Sequence, residues 1–249
     1  MRAQRLARYL EWATTNVMLD LLLNRGDGLD LWRLAIAALS LAIAVAYLGV
    51  INQPAGPRRT AVKTAPIAIL ALLPLTYLAV PGFPVAALLV LSLALVLSAL
   101  GDYFLALKDQ SRFFVPGLAS FLLAHVAYIA AFLPHATSAS GFAPVAIVAT
   151  ALAAGILLGI LRPSLGRLRL PVYAYFAVIM TMVAAAFFVK GAPWYLGVGA
   201  VVFAVSDSLI AVRKFGKPFP GINEAVWVTY IAAQLMLTAG LLVTMLANL

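Results

Sequence analysis

With 249 residues, 65% of them hydrophobic and 10% charged, the chain carries far less charge than the roughly 25% of an ordinary soluble domain. A mean hydropathy of +1.06 excludes a soluble globular fold and places the chain among polytopic membrane proteins. The net charge of +9 does not point to nucleic acid, because the basic residues sit between apolar runs, and the lack of cysteine removes disulfides and thiolate chemistry.

Residues 1–30 read as a separate arm, either an amphipathic, interfacial helix with Trp12 at headgroup depth or a disordered segment. Arg2, Arg5 and Arg8 could open a signal peptide. However, the apolar run 17–23 is short, Asp20 interrupts it, and no small-residue cleavage site follows. Residues 31–249 then form the membrane domain. Eight apolar stretches are predicted, at 31–51, 62–80, 84–107, 113–133, 142–161, 170–189, 193–212 and 225–246. Each is near the roughly 20 residues of a spanning helix. The breaks carry turn chemistry: Pro54 to Pro57, Pro81-Gly82, Pro134, Pro163 with Gly166, Gly191 with Pro193, and Pro218 to Gly221. The bilayer admits only helices or closed barrels, and runs this long are helices. The fold class is therefore all-α integral membrane, with eight transmembrane helices.

Basic residues alternate across the breaks. Arg58, Arg59 and Lys63 follow the first stretch, and Lys108 and Arg112 the third. Arg162, Arg167 and Arg169 follow the fifth, and Arg213, Lys214 and Lys217 the seventh, whereas the other loops hold only Lys190. The positive-inside rule makes the basic side cytoplasmic and puts both termini outside. Arg2, Arg5, Arg8, Arg25 and Arg33 run against that orientation. Arginine outnumbers lysine and alanine is abundant, which suggests a GC-rich bacterial source and a bacterial cell membrane.

Two acids interrupt this pattern. Of the eight Asp and Glu residues, only Asp102 and Asp207 lie well inside long apolar runs. A carboxylate at membrane depth is costly, so each is a functional-site candidate; the plainer reading is a hydrogen-bonded structural acid. They lie 105 residues apart, and the same offset pairs Pro66 with Pro171, Thr76 with Thr181, Lys108 with Arg213 and His125 with Tyr230. That spacing suggests two parallel four-helix repeats with a site between them. Asp102 is six residues before Lys108 and Asp207 six before Arg213. At 1.5 Å per residue both acids lie about 9 Å from the same basic side. Lys63, Lys108, Arg112, Arg213 and Lys214 above them suggest a lipid phosphate site, with plain topology as the simpler account of each.

The fourth stretch presents Phe114, Gly117, Phe121, His125, Tyr128 and Phe132 on one stripe. The aromatics alone would suit simple packing; His125 needs a partner at that depth, and the two acids are available. The eighth presents Asn223, Trp227, Tyr230, Gln234 and Thr238, where Gln234 could serve only as interhelical glue. Tyr173, Tyr175 and Phe176 open the sixth stretch and could form an interfacial belt.

The order Lys63, Gly101-Asp102, then Phe114, Gly117, Phe121, His125 and Tyr128 resembles the YhhN family of membrane proteins. Tyr173, Phe203 with Ser206-Asp207, Phe215, and Tyr230 with Gln234 extend the resemblance. It implies an eight-helix lysoplasmalogenase that cleaves the vinyl ether of a lysoplasmalogen to a fatty aldehyde and a glycerophospho-ethanolamine or -choline. It also implies that Asp102 and Asp207 are the paired acids.

Vinyl-ether hydrolysis suits these residues. The alkene is protonated, an oxocarbenium ion forms, water adds, and the hemiacetal collapses. One protonated acid and one carboxylate serve this, as two carboxyls serve glycosidases. The two carboxyls would titrate as a unit, so either could fill either role; the assignment taken is Asp207 as the acid and Asp102 as the base, with His125 orienting water or shuttling a proton. Lys63, Arg112, Lys214, Phe121, Tyr128, Tyr173, Ser206, Tyr230 and Gln234 are the expected substrate-binding residues. No cofactor and no metal are expected: with His125 and a loop His135 alone, the usual nitrogen-rich zinc shell cannot form. The partner is a lysophospholipid within the bilayer, with no nucleic acid. Two rivals share the paired acids, an intramembrane aspartic protease and a proton-coupled transporter of a small amphiphile. The protease's Gly-x-Gly-Asp pattern is broken here by Ala99-Leu100-Gly101-Asp102.

Overall fold

The computed structural model describes residues 22–23, 27–137 and 141–249. Most of the predicted arm lies outside the described residues. Eight long helices follow: α1 (Asp30–Leu48), α2 (Pro57–Leu70), α3 (Val85–Ala106), α4 (Gln110–Phe132), α5 (Ala143–Leu161), α6 (Arg169–Phe187), α7 (Trp194–Phe215) and α8 (Ile222–Ala247). With short 3-10 extensions they make eight candidate membrane spans. The described residues contain no strand, only an isolated bridge between Ala136 and Val189 that ties the α4–α5 loop to the end of α6.

Local chemistry sets the helix ends. Pro57 opens α2 with its φ preset and no N–H to waste. The second stretch is not one continuous helix, as its apolar run implied. Pro74 cannot donate into an α-helical turn, and the chain continues to Ala79 as a 3-10 helix. The start of α4 lies three residues before its expected position, because Asp109 caps it by accepting from the Ser111 and Arg112 amides. The Ser111 hydroxyl also donates to Asp109, which holds that carboxyl below its ordinary range. Gly221 precedes α8 at φ 83°, a left-handed conformation that side chains disfavour.

Packing is closest within two helix pairs, α3 with α4 and α7 with α8. Small residues permit it. A Cβ on Gly101 would lie 2.5 Å from the Phe121 ring, and one on Gly199 would lie 2.7 Å from Met236 Cβ. By contrast, α5 packs mainly on α6 and α7 and leaves Val145, Val148, Leu152, Ile156 and Ile160 exposed, as expected of a lipid-facing helix.

One buried cation belongs to the frame. Arg33 is fully buried and pairs with Asp27 and, at 2.8 Å, with Asp30. It also donates to the Thr76 hydroxyl and carbonyl and lies 4.4 Å from the Tyr77 ring centre. Two carboxylates compensate its charge, so Arg33 is not an uncompensated cation opposing the predicted orientation.

Candidate active site

Asp102 sits one turn before the end of α3, and its side chain is 3% exposed. The Lys63 ammonium, from α2, lies 3.2 Å from Oδ1. Oδ2 has no hydrogen-bond partner among the described residues. The Tyr230 hydroxyl, from α8, neighbours this carboxyl without making a hydrogen bond.

Asp207 sits two turns before the end of α7, with a side chain 8% exposed. The Tyr175 hydroxyl, from α6, donates to Oδ2. His125 Nε2, from α4, lies 3.5 Å from the same oxygen, beyond hydrogen-bond geometry. Both imidazole nitrogens are buried and unpartnered among the described residues. Phe203 and Tyr175 fix the ring edge-to-face, at 4.7 and 5.4 Å between centroids.

The two acids face different cavities. Asp207 lines a small apolar cavity of about 50 Å³ between α4, α6 and α7, with Phe114, Leu118, Phe176, Ile179 and Met180 on its walls. Asp102 lines a second cavity of about 40 Å³ with Arg59, Lys63, Arg213, Tyr47, Trp227 and Tyr230. Leu105, Phe121 and Ile210 line both, forming a shared wall. Phe121 is held there edge-to-face by Phe203 and Tyr230 and seated against Gly101. The two cavities adjoin, one apolar and one cationic.

The other predicted residues divide. Lys63, Phe121 and Tyr230 reach the chambers. Tyr128 donates to Gln234 at 2.5 Å, a buried link between α4 and α8. Ser206 donates to the Val226 carbonyl at 3.0 Å and ties α7 to α8. Tyr173 packs against the cluster of Leu161, Leu165 and Val172 and lines neither cavity. Lys214 lies 4.7 Å from the Phe114 ring and Arg112 5.3 Å from the Phe113 ring. Neither cation lines a chamber with an acid; Arg59 and Arg213 do. Tyr175, for which the sequence offered an interfacial belt as one of two readings, is the direct partner of Asp207.

The profile of the YhhN family matches residues 58–241. A Mycobacterium tuberculosis protein named lysoplasmalogenase is 39% identical over 151 residues, which cover 59% of this chain and 58% of that relative. The human protein named lysoplasmalogenase TMEM86B is 35% identical over 149 residues, covering 58% of this chain and 60% of its own length. These alignments therefore span less than two thirds of the relatives. No solved structure matches the chain.

Proposed function

The chain belongs to the YhhN family, and from that premise we propose that it is a membrane hydrolase of lysoplasmalogen-type lipids, using Asp102 and Asp207 as one catalytic pair. One observation carries the reading: two buried acids flank a shared wall, one in an apolar chamber and one in a cationic chamber. A single-chain lipid laid across that wall puts its ether between tail and head, at the junction.

The surroundings of each acid suggest its role. A cation at 3.2 Å supports a carboxylate on Asp102. Asp207 has no Lys or Arg partner among the described residues, and its hydrogen-bond donor is a neutral phenol. A bare charge there would be costly, which favours the protonated form as the proton donor. Asp207 gives its proton to the alkene carbon remote from oxygen, and the ether carbon becomes an oxocarbenium centre. Asp102 takes a proton from water as the water oxygen bonds to that centre. The hemiacetal passes its hydroxyl proton to the departing glycerol oxygen as that C–O bond breaks, leaving the aldehyde. Return of one proton from Asp102 to Asp207 closes the cycle. His125 and Tyr230 stand beside the two carboxyls as relays for that return.

A duplicated origin fits the same contacts. The acid of α3 neighbours the α8 aromatic Tyr230, and the acid of α7 neighbours the α4 ring His125. These two pairings exchange under the four-helix offset.

The test is aldehyde release by purified protein from a vinyl-ether lysolipid. Asp102→Asn and Asp207→Asn should each lower turnover at least about 10²-fold, with His125→Ala less harmful. The double variant should lose much less than the product of the single losses, as expected of groups acting together. Near-normal aldehyde release from either well-folded single variant would end the two-carboxylate mechanism. A wild type that makes no aldehyde but carries lipid or protons across liposomes would be a transporter instead.

A further inference from the structure

We infer that the cationic chamber is an anion site for the phosphate of a single-chain lipid, with Arg59 and Arg213 as its principal ligands and Lys63 as a shared one. The inference deepens the proposed function and rests on it for the identity of the lipid, but the anion site stands on its own geometry.

The charges in the chamber do not balance. Lys63 and Asp102 compensate each other across 3.2 Å. That leaves two guanidinium groups facing only neutral acceptors. Arg59 donates from Nε to the Ile51 carbonyl at 3.1 Å, and its guanidinium lies 5.9 Å from the Tyr47 ring centre. Arg213 donates from Nη1 to the Asn223 side-chain oxygen at 2.9 Å. Neither forms an ion pair with a carboxylate among the described residues. Both are half-buried beside the same cavity.

Arg33 provides the internal contrast. Where this chain buries an arginine in its frame, it supplies two carboxylates. Two arginines gathered at one small cavity, with no carboxylate partner of their own, have donors left over for an anion. A planar guanidinium fork matches phosphate oxygens, and two such forks converging on one space favour phosphate over a diffuse counterion. Placement agrees, because the chamber shares a wall with the apolar one.

The test uses non-cleavable ligands, so that binding is read apart from chemistry. Purified wild-type protein is titrated with a saturated-ether lysophosphoethanolamine, and separately with the same alkylglycerol lacking the phosphate. The readout is the ligand concentration giving half-maximal thermal stabilisation. The phosphate-bearing lipid should need at least about 10-fold less, given the strength of charge-assisted hydrogen bonds. Arg59→Gln and Arg213→Gln should each narrow that preference several-fold, and together abolish it. Arg58→Gln, the same charge change on an exposed neighbour outside the chamber, should leave it intact. If the double variant does not fold, Arg59→Lys and Arg213→Lys keep the charge and lose the fork, and should narrow the preference by less. No preference in wild type, full preference in the folded double variant, or full preference in both Lys variants would overturn the site. Phosphate preference without aldehyde formation would instead defeat the hydrolase reading and leave the anion site standing.

Discussion

Asp102 and Asp207 are the same side chain, each six residues ahead of a basic one, yet their surroundings differ in almost every respect. Asp102 looks into a chamber with three cations, and one of them touches it. Asp207 looks into a chamber lined mostly by Phe, Leu, Ile and Met, with a phenol and an imidazole as its polar neighbours. In the proposed mechanism, identical residues become a proton acceptor and a proton donor through what stands next to them. In low dielectric a single adjacent ammonium decides whether a carboxylate is tolerated.

The largest effect should come from making the two chambers alike. Lys63→Met removes the cation that touches Asp102 and leaves a buried carboxylate uncompensated. Breaking a buried pair from one side typically costs about 3–5 kcal/mol of stability. Turnover should also fall, on the order of 10²-fold, because the base loses the charge that holds it ready. The double variant Lys63→Met/Asp102→Asn should recover much of the lost stability and none of the activity. Thermal melting and aldehyde release on the four proteins of this cycle measure both quantities. Equal stability of Lys63→Met and wild type would mean that the ion pair does not set the state of Asp102.

A smaller effect should follow on the other side. Tyr175→Phe deletes only the hydroxyl that donates to Asp207. The chamber keeps its shape, so the Michaelis constant should hold while turnover drops roughly 10-fold, the cost of misplacing a donor in the transition state alone. A matched rise in Michaelis constant with unchanged turnover would make Tyr175 a wall of the chamber and no partner in the chemistry.

Much of this architecture was legible because hydropathy and proline chemistry act locally. Each predicted span overlaps one of α1 to α8. The α4 stripe from Phe114 to Phe132 is buried as its periodicity required. What sequence could not supply was rotation. Consecutive helical residues differ by about 100° in direction. Arg213 therefore faces the cavity while Lys214 lies over Phe114. Tyr175 meets Asp207, whereas Tyr173, about 200° round the helix, packs on Val172 and its neighbours. Such choices depend on which neighbour each face meets, and one sequence does not specify its neighbours. Capping was a different kind of miss. Asp109 followed by Ser111 was visible as cap chemistry, and the apolar run alone led to a later start for α4.

The smallest effect concerns only the apolar half. Ala204 and Ala211 both line that chamber, one on either side of Asp207 along α7. If the alkenyl tail lies there, Leu at one of these positions fills space that the tail would otherwise use. Each buried methylene contributes about 0.8 kcal/mol, or roughly fourfold in affinity. The variant at the end reached by the tail should shift the preferred substrate by about two or three carbons toward shorter chains. The variant at the other end should leave chain preference alone, so the pair also reports which way the tail runs. Ala211 is half-buried and Ala204 buried, so the second carries the greater risk of overpacking; its melting temperature is the control. Competition among vinyl-ether lysolipids of graded chain length, read by aldehyde mass, gives the measurement. Headgroup preference should not move in either variant, because the cations belong to the other chamber. If both folded variants keep the wild-type chain preference, the tail is held elsewhere and the assignment of the two chambers to tail and head fails.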